Sequence, residues 1–190
     1  MYYNCQMLLI IFFIFFLVIF FVSLILFSFK RFSPVPYFPS SEKDMKLIIK
    51  SLGLQNNQTI IDLGAGDGIV IFEAAKESMR KKLNTKFIAV DINPILILVL
   101  LIRRFLHPNK ENIKIVQGDF FKMNFFHLTP KPYTLITVYL YISPWFLDKV
   151  AKRILNEFPK ARIVSYMYPV KSLKKKEAIV KGRNSIFVYS

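Results

Sequence analysis

TIIDLGAGDG, residues 59–68, runs an apolar segment into an aspartate and then sets three glycines at alternate positions. A short apolar run bounded by turn residues has the pattern of a buried strand. Helical spacing resumes at residue 69, so the glycines occupy a strand-to-helix turn. Glycine tolerates backbone angles that other residues resist, and it leaves no side chain between the backbone and a ligand. Gly64 suits the tight turn, Gly66 the approach of a ligand, and Gly68 close packing at the helix start, where N–H groups point outward.

The flanking chain alternates. Apolar runs at residues 59–63, 86–91, 112–117, 134–140, 161–168 and 185–190 read as strands. Helical spacing falls at 45–54, 69–82, 94–106 and 144–158. Strands alternating with helices predict an α/β fold with a mostly parallel sheet. Right-handed crossovers put helices on both of its faces. About six strands are expected, with a shortened C-terminal end. Ligands of such folds bind beyond the carboxyl ends of the strands, at the switch point.

A dinucleotide is the first candidate for the loop, and two details oppose it. The spacing is G-x-G-x-G rather than G-x-G-x-x-G, and Asp62 opens the turn. A carboxylate there repels a pyrophosphate and favours a cationic ligand.

The N-terminal segment is of another kind. Residues 1–29 contain no charged side chain, and residues 7–29 are almost wholly Leu, Ile, Val and Phe. A helix needs about 20 apolar residues to cross a bilayer. A signal peptide is the rival reading, but the segment lacks a positive start, has too long an apolar core and shows no small-residue cleavage site. A retained single-pass anchor over residues 1–30 is therefore expected. Lys30 and Arg31 follow it and place the remainder on the cytoplasmic side. Residues 31–42 hold three prolines and read as an extended linker, leaving 43–190 for one folded domain. The lone cysteine, Cys5, forms no internal disulfide.

The net charge of +15 falls on the domain and its flank. Nucleic acid, an acidic protein and an anionic membrane all attract such a charge. The anchor makes the membrane surface the expected partner, and nucleic acid is not expected. The densest cluster, residues 170–183, reads as a solvated face.

On these residues the chain resembles the class I methyltransferases that use S-adenosylmethionine (SAM). DLGAGDG matches their first motif, Asp91 ends the second strand, and QGDFF (117–121) follows the third. The resemblance implies a Rossmann-like sheet with SAM as cofactor. It implies that Asp62, Gly64, Ala65, Gly66 and Gly68 cradle the cofactor, that Asp91 and Ile92 take the ribose, and that Asp119 and Phe120 take the adenine. The layout of membrane segment, PVPYFPSS (34–41) and motif further resembles the small membrane-anchored protein-lysine methyltransferases acting on ATP synthase or the adenine nucleotide translocase. That likeness implies a cover segment at Tyr37, Phe38 and Ser40, and a membrane-protein substrate. An ordinary proline linker is the alternative.

The acceptor site is expected in YLYISPW (139–145), after the fourth strand. Tyr139, Tyr141 and Trp145 either wall a narrow channel, with π-faces suited to a methylated ammonium, or belong to the core or the membrane interface. The loop lacks the Asn/Asp-Pro-Pro-aromatic motif of adenine and glutamine amino-group methyltransferases. No carboxylate or histidine cluster has metal-ligand spacing, and His107 and His127 read as structural or solvent-exposed. Residues 95–102 are apolar on every side, which admits either core burial or contact with lipid. Three functions stay open: a lysine-directed protein methyltransferase, a methyltransferase for a quinone or lipid, and a non-catalytic SAM-binding membrane protein.

Overall fold

The structure is a computed structural model that describes residues 2–28, 39–129 and 135–190. Lys30, Arg31, Tyr37 and Phe38, on which the orientation and part of the cover were read, lie outside the described residues. The chain divides into two compact units, Met1–Pro34 and Val35–Ser190.

The first unit holds helix α1, Tyr2–Ser28, 27 residues long. At about 1.5 Å per residue it measures about 40 Å, more than the hydrocarbon core of about 30 Å. The window Gln6–Ser23 has mean hydropathy 2.9 and is wholly unburied. Its apolar side chains from Met7 to Val22 are exposed, and by length and composition the helix suits a membrane span, as a signal sequence also would.

The second unit is a seven-stranded sheet in the order β3-β2-β1-β4-β5-β7-β6. Its strands are β1 Gln58–Leu63, β2 Thr85–Asp91, β3 Ile113–Gln117, β4 Leu135–Leu140, β5 Arg162–Tyr166, β6 Glu177–Lys181 and β7 Ser185–Tyr189. The first five pair in parallel and the last two antiparallel. Helices α2 (Met45–Leu52), α3 (Ile69–Arg80) and α4 (Pro94–Leu106) pack on one face, and α5 (Pro144–Glu157) on the other. Alternate residues serve the two cores. Ile60, Tyr139, Val164 and Ile186 point toward α2 and α3. Ile61, Leu63, Val138 and Ile163 point toward α5. All six residues of β1 are buried, which is why its sequence shows no apolar–polar alternation.

The expected count of about six strands is corrected to seven. β6 lies within the lysine-rich stretch taken for a solvated face, and it completes a terminal hairpin with β7. As an edge strand it is largely exposed and carries Glu177 and Lys181, which protects an open edge from pairing with other chains. The Tyr189 hydroxyl donates to Glu177 at 2.7 Å and accepts from the Val170 N–H at 2.8 Å. The turn of this hairpin is gripped by Asp44, which is 1 % exposed. Its carboxylate accepts from the N–H groups of Arg183 (2.6 Å) and Asn184 (2.9 Å) and from the Tyr166 hydroxyl (2.7 Å).

Candidate active site

The sheet reverses direction of growth between β1 and β4, and the loops leaving their carboxyl ends frame a cleft. Asp62 lies in that cleft with Ala89 and Tyr139 as its neighbours on the flanking strands. It is 3 % exposed. Burial, reinforced by the negative charges of Asp91 and Asp67, pushes its carboxyl well above the ordinary carboxylate range. No hydrogen bond reaches that carboxylate among the described residues. A buried carboxylate without donors is unfavourable unless a cation meets it.

The glycine turn is held by its neighbours. The N–H groups of Gly64 and Ala65 both donate to the Val90 carbonyl at 2.9 Å. Gly64 has φ 79°, and a Cβ there would lie 3.4 Å from the Ile142 side chain and 3.6 Å from the Phe120 ring. Gly68, at φ 77°, caps α3; a Cβ there would strike Leu100 and lie 2.7 Å from Phe72. The backbone thus favours glycine at both positions, and space demands it at Gly68.

Asp91 ties the turn to β2. One carboxylate oxygen accepts from the Gly66 N–H at 2.9 Å and the other from the Asn93 N–H at 2.8 Å. Burial raises its pKa, and those backbone donors hold it back. Each oxygen keeps a lone pair for a further donor such as a ribose hydroxyl. Ile92 is half-buried beside it. The Gly118 N–H donates to the Asp91 carbonyl at 2.9 Å, which brings the third loop to the same place. In that loop Asp119 accepts from the Phe121 N–H at 2.9 Å. Phe120 is buried, with its ring 4.5 Å from that of Phe121.

Two arginines brace these loops. Arg103 on α4 donates to both the carbonyl and the carboxylate of Asp67 at 2.7 Å. Arg153 on α5 donates to the Phe120 carbonyl at 3.0 Å and also to the Met123 carbonyl. Sequence reasoning passed over both, because a cation on a helix usually reads as solvated. Arg153 with Glu157 has the i,i+4 spacing of a surface pair, and only the fold turns it inward.

The acceptor-side residues separate. Tyr139 is fully buried and its hydroxyl meets that of Ser40 at 2.8 Å. Tyr141 is half-buried, edge-on to Tyr166 with centroids 4.9 Å apart, and donates to the Met167 sulfur at 3.7 Å. Met167 itself holds φ 71°, a conformation disfavoured for a side-chain-bearing residue. Trp145, in the first turn of α5, is 81 % exposed. The structure therefore joins Tyr139 to Ser40 and Tyr141 to Tyr166, and leaves Trp145 on the rim. Among the described residues no group of three or more His, Cys, Asp or Glu is placed to hold a metal ion.

A Rossmann-like sheet with a donorless acid at the end of β1, an acid at the end of β2 and a third after β3 defines a class I SAM-dependent methyltransferase. Residues 62–177, more than half of the chain, match the ANTKMT methyltransferase domain, and the chain belongs to that family. A protein-lysine N-methyltransferase of Saccharolobus islandicus is 28 % identical over 147 residues, which cover 76 % of this chain and 84 % of that protein. An ATP synthase lysine N-methyltransferase of Xenopus laevis is 20 % identical over 156 residues, 82 % of this chain and 63 % of that one. Among solved structures, an RNA methyltransferase of Salinibacter ruber in complex with S-adenosyl-L-homocysteine shares the fold at TM-score 0.62 and 16 % identity, covering 80 % of this chain and 92 % of that one. SAM is accordingly the cofactor, and the chain is related to the small lysine methyltransferases.

Proposed function

We propose that this chain is a membrane-anchored protein-lysine N-methyltransferase with its domain on the cytoplasmic side. The observation that carries the acceptor class is the likeness to relatives whose names specify lysine. The membrane reading rests on α1, whose exposed apolar surface suits lipid. The cytoplasmic reading rests on Lys30 and Arg31.

SAM brings a methyl group made electrophilic by its sulfonium. The chain does the rest by placement. Asp62 would hold the cofactor's ammonium, a positive charge to meet its buried carboxylate. Asp91 would accept from the ribose hydroxyls, and Asp119 with Phe120 would border the adenine. Arg103 and Arg153 keep those loops in register.

The acceptor amine must arrive neutral, since an ammonium has no lone pair for the methyl carbon. Tyr141 and Trp145 border its approach, and a dry approach lowers a lysine pKa. Once the amine has given its proton to solvent, its lone pair would take the methyl carbon, and the sulfonium would leave as a neutral thioether keeping the carbon–sulfur electron pair. Orientation and desolvation supply the acceleration.

Mass spectrometry of membranes from cells with and without the protein tests the reading. A lysine in a membrane protein should gain methyl groups only where the chain is present. A one-methyl shift in a quinone or lipid, with lysines unchanged, would replace it by the small-molecule reading.

A further inference from the structure

Helix α4 carries apolar residues on two sides, and the core uses one. Leu96 and Leu100 are buried on the side that packs against the sheet, whereas Leu98, Leu101, Ile102, Phe105 and Leu106 are exposed. The last two are each 74 % exposed. Their spacing of i, i+3, i+4, i+7 and i+8 makes one continuous stripe along the helix. A stripe of large apolar side chains on a domain surface marks contact with something else.

The border of the stripe is basic. The Lys110 ammonium lies 5.5 Å from the centroid of the Phe105 ring. Along the β3 edge a groove of about 530 Å³ joins Leu101 to Arg104, Lys86 and Lys114, with Glu111 as the acid in its lining. Apolar residues edged by cations compose a helix that rests in a bilayer interface, chains inward and charges at the headgroups. Between Leu98 and Ile102 no side chain can donate or accept a hydrogen bond, which suits contact with hydrocarbon.

We propose that the outer stripe of α4 lies in the headgroup–acyl boundary of an anionic bilayer. The proposal rests on the reading of α1 as a span of that bilayer and adds a second contact made by the domain. The cations match the negative headgroups, and the span keeps the surface within reach.

The contact has a consequence for substrate choice. α4 starts at the carboxyl end of β2, directly after Asp91 and its cap Asn93. It runs back along the sheet. Laid flat in the interface, it directs the strands along the membrane plane, and the cleft opens sideways at headgroup level. The acceptor lysine then sits at the membrane surface rather than in the hydrocarbon.

The test uses the full chain with Cys5→Ser and single cysteines Leu98→Cys, Ile102→Cys, Phe105→Cys or, on the opposite helix, Lys152→Cys. Each is spin-labelled and reconstituted into phosphatidylcholine vesicles containing phosphatidylglycerol. Flotation reports membrane insertion, and collision with oxygen against chelated nickel reports depth. The three α4 labels should show a several-fold higher oxygen-to-nickel ratio than the label at 152. A floated chain whose α4 labels match position 152 would overturn the α4 contact while leaving the span intact. Labels shielded from both reagents, with dipolar broadening, would show a second copy on the stripe and also overturn it. A chain that fails to float would remove the membrane reading and this contact together.

Discussion

The hydroxyls of Ser40 and Tyr139 meet at 2.8 Å in the core although 99 positions separate them in the chain. The bond fixes the segment leading into α2 above the end of β4, next to Asp62. Either single substitution, Ser40→Ala or Tyr139→Phe, removes one buried hydroxyl, leaves the other unpaired and should cost about 1–2 kcal/mol. A double-mutant cycle by denaturant unfolding of the solubilised chain should give a coupling of about 1 kcal/mol. A coupling indistinguishable from zero would mean that the segment is not held there.

Asp62 should behave as a residue kept for binding at the expense of stability. Its folded pKa is raised, so its contribution to stability is lost as pH rises from the ordinary carboxylate value through the raised one. Asp62→Asn should therefore unfold at a higher temperature than the parent at neutral pH, by a few degrees for each ~1 kcal/mol regained. The same variant should lose SAM binding. Since the ammonium needs the ionised carboxylate, the parent should release a proton when SAM binds, and affinity should rise with pH. Calorimetry in buffers of different ionisation enthalpy measures that proton directly; its absence, with affinity flat in pH, would contradict the assignment.

The grip of Asp44 on the hairpin turn should have the opposite pH sign. Its hydrogen bonds, against the effect of burial, hold its pKa below 3.8. Its stabilisation is present above the unfolded value and lost as pH falls through the folded one. Asp44→Asn should flatten the acid limb of the stability profile. Gly182→Ala places a Cβ against the Asp44 carboxylate and 2.9 Å from Leu47, so it should destabilise by about 1–3 kcal/mol. An unchanged acid limb in Asp44→Asn would show that the grip is not made in solution.

Arg153 should act on the cofactor without touching it. Arg153→Ala frees the carbonyls of Phe120 and Met123 and should weaken SAM binding by roughly tenfold, the equivalent of about 1.4 kcal/mol. Arg153→Lys, which retains a donor, should recover part of it. Loss of stability in Arg153→Ala with unaltered SAM affinity would make the residue structural only.

Much of this was legible in the sequence where one local pattern sufficed. The glycine turn, Asp91 and Asp119 were placed by strand ends, and the fold gathers them at one end of the sheet. β6 was hidden because an exposed edge strand lacks the alternation that a half-buried one shows. The roles of Arg103, Arg153 and Asp44 were hidden for another reason. Their partners are 36, 30 to 33 and 122 to 140 positions distant, so nothing local distinguishes them from solvated charges. The apolar run at 95–102 proved to be only half core, with Leu98, Leu101 and Ile102 facing outward.

The central claim, transfer of methyl groups from SAM to lysine at a membrane, is tested most directly with isolated membranes lacking the chain. They are incubated with methyl-labelled SAM and either the reconstituted protein or its Asp62→Asn variant. The account predicts label on lysine residues of a protein band with the parent chain and none with the variant. Label confined to the solvent-extractable lipid fraction, or equal labelling by both chains, would contradict it.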